Sequence, residues 1–188
     1  KVSPITEKDY EFTWDVVGGA VSQSYSSSIQ KGIQAVMKEG VIAGYPVSGV
    51  HVSVFDGKEH PVDSKPVAFE VAGREAFKLA VKEANPVLRE PIMLVRITVP
   101  EANMGDVMGD LNTRRARIQG METEKGHSVV TANVPLSEML RYTTTLRSIT
   151  AGRGIFSMEF DHTEVVPAPI AQPIVDARTK ELEAKKEE

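Results

Sequence analysis

"PIMLVRITVPEANMGDVMGDLNTRR", residues 91–115, decides the fold. Its first nine residues, rich in Ile, Val and Leu behind a proline, read as a buried strand. The period then changes. Met104, Val107, Met108 and Leu111 recur at three- and four-residue spacing, which places them on one face of a helix. Downstream, two shorter strands flank "ETEKGH" (122–127), and a helix begins near Pro135. "GIFSMEF" (154–160) is the last strand, with Phe156, Met158 and Phe160 on one face. The order β-α-β-β-α-β is the split arrangement of a ferredoxin-like sandwich. Pro167, Pro169 and Pro173 then introduce a charged C-terminal helix over 170–186.

Upstream the pattern is a second α/β unit. "YEFTWDVV" (10–17) reads as a strand broken by Gly18-Gly19. Ile29, Ile33, Val36 and Met37 carry helical spacing through 25–39, and Gly40 stands where that helix stops. Val50, Val52 and Val54 alternate with His51, Ser53 and Phe55, a half-buried strand. Asp56-Gly57 tolerates the positive φ of a tight hairpin, so the chain is expected to fold back there. That leaves Lys58, Glu59 and His60 on a polar turn, which is either a plain hairpin or a point of contact. Asp63 or Ser64 can cap the next helix, and Pro66 suits its first turn. Over 64–84, Phe69, Ala72, Ala76, Phe77, Ala80, Val81 and Ala84 form one stripe, ended by Asn85-Pro86. The expected division is 1–90, 91–166 and a tail, 167–188.

The 188 residues carry a net charge of −4 and are 41% hydrophobic, enough for one sizeable core or two small ones. The acidic balance argues against a nonspecific nucleic-acid coat but not against a local RNA contact. With no cysteine there is no disulfide framework and no thiol metal site, which permits a cytosolic location. No run approaches the roughly 20 apolar residues of a membrane span. Phosphate-binding glycine loops, a G-x-S-x-G elbow and H-E-x-x-H are missing, and His51, His60, His127 and His162 lack metal-ligand spacing. Asp106 and Asp110 lie one helical turn apart, and a solvated helix surface explains them better than acid–base chemistry. By motif this is not an enzyme. Arg114, Arg115 and Arg117 cluster where a helix ends. Cations are favoured there by the helix dipole, and guanidinium groups also read RNA phosphate; both readings stand. Arg141, Arg147 and Arg153 sit on the second helix and its exit loop, Arg153 between two glycines.

Several runs are those of a known family. "IAGYPV" (42–47), "HPVDSKPVAF" (60–69), "GDVMGDLNTRR" (105–115), "VPLSEMLRY" (134–142), "LRSITAGRG" (146–154) and "FSMEF" (156–160) appear in order across nearly the whole chain. Together they resemble the fourth and fifth domains of bacterial elongation factor G. The resemblance implies an α/β (α+β) chain: a ribosomal protein S5-like domain, then the ferredoxin-like domain, then the helix. It implies a C-terminal part of a translational GTPase that moves tRNA and mRNA through the ribosome. GTP and Mg would bind the parent's N-terminal domain, so this part would hold no cofactor, no metal and no catalytic residue. The implied partners are the small-subunit decoding region, tRNA–mRNA, and the sarcin–ricin loop and GTPase-associated centre of the large subunit. No membrane is involved, and the expected form is a cytoplasmic monomer. His60 aligns with the tip histidine that approaches A-site tRNA, with Asp56, Gly57 and Lys58 beside it. Arg114, Arg115, Arg117, Arg147 and Arg153 are the candidate rRNA contacts. One departure stands out: "GGAVSQSY" (18–25) replaces the more usual "GGVIPxEY", which frees the start of the helix from its proline. A recycling or ribosome-protection paralogue, or a stand-alone RNA-binding module, are the alternatives.

Overall fold

The computed structural model describes residues 1–60, 62 and 64–185. They form two compact units, Lys1–Pro86 together with the segment from Ala168, and Val87–Pro167.

The first unit is built from β1 (Val2–Pro4), β2 (Tyr10–Trp14), α1 (Ser26–Glu39), β3 (Val50–Val54) and α2 (Pro66–Glu83). β3 lies between the other two strands, antiparallel to β1 and parallel to β2. A parallel pair needs a crossover, and α1 supplies it. Gly40 ends α1 at φ 80°, its amide donating to the Val36 carbonyl at 2.8 Å. The core joins Ile29, Ile33 and Val36 of α1, Val50 and Val52 of β3, and Phe77 and Val81 of α2.

Two glycines set the spacing of the helices. A Cβ on Gly32 would stand 2.1 Å from the Glu70 carbonyl oxygen, and one on Gly73 would stand 2.9 Å from that of Ile29. This close crossing turns Gly73, Phe77 and Val81 inward and leaves Ala72, Ala76 and Ala84 exposed. The alanine stripe expected from the sequence is corrected accordingly: backbone contact, not alanine burial, orients α2. Phe69 is half-buried and stacks on Tyr25, with ring centroids 4.1 Å apart.

The second unit contains β4 (Arg89–Pro100), α3 (Met104–Thr113), β5 (Arg117–Glu124), β6 (His127–Pro135), α4 (Leu136–Met139), α5 (Tyr142–Thr150) and β7 (Ile155–Val165). All its pairings are antiparallel, in the order β5-β6-β4-β7, so the ferredoxin-like reading holds. The helix expected from Pro135 is two helices with a break at Leu140–Arg141. Val95, Ile97, Val99, Val130, Ala132 and Val134 of the sheet pack against Val107 and Leu111 of α3 and Tyr142 and Leu146 of α5. On the edge strand β7, Phe156 meets Tyr142 edge-on, while Met158 and Phe160 are exposed. Lys125 and Gly126, both at positive φ (51° and 80°), make the β5–β6 hairpin in the geometry of a two-residue primed turn.

α6 (Ala168–Ala184) starts two residues before the sequence reading places it, takes Pro173 inside, and belongs with the first unit. Ile170, Val175, Thr179 and Leu182 are half-buried along one face, and Leu182 touches Gly44.

Candidate nucleic-acid interface

The loop between β3 and α2 carries His60. The hairpin expected at Asp56-Gly57 does not form. β3 is paired on both sides by β1 and β2, and the chain runs on into α2. Gly57 is outside the positive-φ glycines, and its Cβ position is closed by Val21 Cγ2 at 2.6 Å. An Asp-Gly pair makes a primed turn only when a second strand follows it, and here none does.

Asp56, Gly57, Lys58 and His60 are exposed, and Glu59 is half-buried. The loop is tied from within. The Gly57 amide donates to Asp56 Oδ1 at 2.7 Å, and the His60 amide to Ser64 Oγ at 2.7 Å. The Ser64 amide donates back to the His60 carbonyl at 3.2 Å. It is tied from outside as well: the Ser22 amide donates to Glu59 Oε2 at 2.9 Å, and the Tyr25 hydroxyl to the Ser64 carbonyl at 3.0 Å. Ser64 therefore does not cap α2. Lys65 holds the cap position without a side-chain bond, Pro66 fills the first turn, and the other cap candidate, Asp63, lies outside the described residues. An exposed imidazole on such a loop can bond phosphate or ribose and stack on a base.

His51 has a structural setting. Thr13 donates its hydroxyl proton to Asp15 Oδ2, so its oxygen accepts from His51 Nε2–H at 3.0 Å. His51 Nδ1 then accepts from Ser3 Oγ at 3.3 Å, and the ring bridges β1 and β2 across β3. Ser53 and Thr13 hold the Asp15 carboxyl below its usual range.

Three of the five candidate arginines serve the second unit. Arg114 forks onto Asp110 (2.7 Å), bonds the Glu138 carbonyl and Thr145 Oγ1, and lies 5.0 Å over the Tyr142 ring. Tyr142 beneath it is pushed up to about 12, chiefly by burial and then by Asp110. Arg115 pairs both nitrogens with Glu90 (2.6 and 3.0 Å) and reaches Glu138 at 3.1 Å. Arg117 pairs with Glu164. These bonds give each of the three arginines a partner within the second unit. A carboxylate already seated on a guanidinium competes with RNA phosphate for the same donors. Asp110, read from the sequence as solvated, is one of those partners. Arg147 and Arg153 are exposed. Among the described residues Arg147 has no ion pair, and the Arg153 side chain bonds the Thr150 carbonyl and Asn103 Oδ1.

Two features escaped the sequence. His162, assigned nothing there, is held by Asp161 Oδ2 at 2.6 Å and Glu164 Oε1 at 2.8 Å, which raises its pKa above 6.5. The Ser22–Glu59 bond joins residues 37 apart. The Ser22–Glu59 bond leaves no local pattern, whereas Asp161, His162 and Glu164 stand within four residues and could have been read. Among the described residues no His, Asp or Glu group is arranged to hold a metal ion, and no helix is long and apolar enough to cross a membrane.

Comparison with known proteins fits this architecture. The family described as "Elongation factor G, domain IV" matches residues 1–85, and "Elongation factor G C-terminus" matches residues 87–174. Elongation factor G of Aquifex pyrophilus is 51% identical over 171 residues, which is 91% of this chain and 24% of that protein. A crystal structure from Thermus thermophilus superposes with a TM-score of 0.83 at 42% identity, over 95% of this chain and 27% of the other. The chain thus spans about a quarter of the length of the relatives it matches. Matched in order by two successive parts of one family, it belongs to the elongation factor G family, as domain IV followed by the C-terminal region.

Proposed function

We propose that this chain is the ribosome-contacting part of a translation factor that drives tRNA and mRNA through the ribosome during elongation. The observation that carries the reading is the exposed His60 loop, tied at Glu59 and Ser64 to a sheet-and-helix unit with its own core. In this reading the first unit enters the small-subunit decoding region behind the moving tRNA. His60 meets the tRNA there, with Asp56, Gly57 and Lys58 shaping the contact. The work is mechanical: a stiff body occupies the vacated site and biases movement one way. GTP and Mg act in the parent's N-terminal domain, and the cycle takes place in the cytoplasm with a monomeric factor. In this reading the exposed Arg147 and Arg153 of the second unit meet large-subunit rRNA, near the sarcin–ricin loop and the GTPase-associated centre.

A stand-alone RNA-binding module is the weaker reading. Ferredoxin-like RNA binders stack bases on aromatic residues of the open sheet face. Here the central strands alternate so that Val95, Ile97, Val130 and Ala132 face the helices. Leu94, Arg96, Thr98, Thr131 and Asn133 are left for the other face, with no aromatic among them.

The test uses the absence of cysteine from these 188 residues. A cleavage reagent on Lys58→Cys in the intact factor should cut rRNA of the decoding region and A-site tRNA. Cleavage confined to the large subunit would overturn the reading.

A further inference from the structure

We infer that Glu59 is a positioning residue for His60, and that it acts by gripping the backbone amide of Ser22. The role depends on His60 being the RNA contact; the tether itself stands on geometry alone. Three contacts join the His60 loop to the segment before α1. Val21, only 4% exposed, sits against Gly57. The Ser22 amide meets the Glu59 carboxylate at 2.9 Å. Tyr25, stacked on Phe69, donates to the Ser64 carbonyl. They fall before, at and after Glu59–His60, and the middle one is charge-assisted, the stronger kind. Because Glu59 adjoins His60 in the chain, fixing its side chain fixes the path from which the imidazole leaves.

The tether also turns the Glu59 carboxylate toward Ser22. A carboxylate beside the contact histidine would repel an approaching phosphate. Turned onto the Ser22 amide, Glu59 is half-buried, and Lys58 and His60 remain exposed. The bond requires an N–H at position 22. A proline at that position would have no N–H to give. Ser22 holds φ at −64°, the value proline itself prefers, so Ser22→Pro removes the donor while keeping that dihedral.

The test compares amide hydrogen exchange of residues 57–60 in the 188-residue chain with that in Glu59→Ala, Glu59→Gln, Ser22→Pro and Ser22→Ala. Glu59→Ala and Ser22→Pro should speed exchange by about tenfold, the loss of one charge-assisted bond, with exchange in the α1 and α2 core unchanged. Glu59→Gln keeps an acceptor and Ser22→Ala keeps the N–H, so both should retain most of the protection. Wild-type exchange in Glu59→Ala would overturn the tether. In the intact factor, Glu59→Ala should slow tRNA movement and Glu59→Gln restore it. A loosened loop with wild-type movement would overturn the positioning role. Indifference of movement to His60→Ala would count against His60 as the contact and leave the exchange result standing.

Discussion

At the scale of single residues, the sign of a charge says less than what already sits beside it. Arg115 is the clearest case: one guanidinium joins Glu90 of β4 to Glu138 of α4. Arg115→Met should lower the stability of the chain by about 1–3 kcal/mol in urea unfolding, the range for charged hydrogen bonds in a partly buried site. Arg147→Gln with Arg153→Gln should stay within about 0.5 kcal/mol of the parent, as exposed substitutions do. The same pair should flatten the salt dependence of ribosome binding. His162 gives a pH prediction. Glu164 and then Asp161 raise its folded-state pKa above 6.5, so its contribution is complete below pH 6.5 and is lost as pH rises through the raised value. Glu164 is lowered below 4.5, first by His162 and then by Arg117, so its contribution holds above pH 4.5 and is lost as pH falls through the lowered value. The urea midpoint should therefore be highest between about pH 4.5 and 6.5, and His162→Gln should remove the decline on the alkaline side. The arginine cluster was visible in the sequence, but its partners were not. Glu90 and Glu138 lie 25 and 23 positions from Arg115, and only the sheet brings them together.

At the scale of elements, glycine separates packing from propensity. Gly32→Ala would push a methyl into the Glu70 carbonyl and should destabilise the first unit by about 1–3 kcal/mol. Gly109→Ala, inside α3 with open space around it, should stabilise by about 0.5–1 kcal/mol. Thermal unfolding of the two variants should shift in opposite directions. The larger elements were legible because their period is strong: α1, α2, α3, β3 and the β-α-β-β-α-β order all follow from the spacing of apolar residues. β1, three residues long, has no period to read. The turn signals misled once. Asp56-Gly57 has the preferred composition and makes no hairpin, whereas Lys125-Gly126 makes one, because it lies between two runs able to pair. Phe77→Ala should cost about 3–5 kcal/mol, since the ring is 2% exposed; Phe69→Ala should cost less, its ring being only half-buried.

At the scale of the molecule, an acidic chain of net charge −4 is proposed to meet RNA. The two facts fit together if contact is local rather than spread over a surface. Arg114 and Arg115 are paired with carboxylates at part-buried sites and Arg117 with Glu164 at the surface, and the first unit offers an exposed loop. The family was legible from long runs that appear in order across nearly the whole chain. The pose of the loop was not, because it depends on a contact between Ser22 and Glu59. The proposed function rests on His60 as the working point of the first unit. The direct measurement is single-turnover tRNA–mRNA movement by the intact factor carrying His60→Ala, with GTP hydrolysis followed in parallel. Hydrolysis at the parent rate with movement slowed about tenfold, the worth of one well-placed hydrogen bond, is the predicted result. Movement at the parent rate would contradict it.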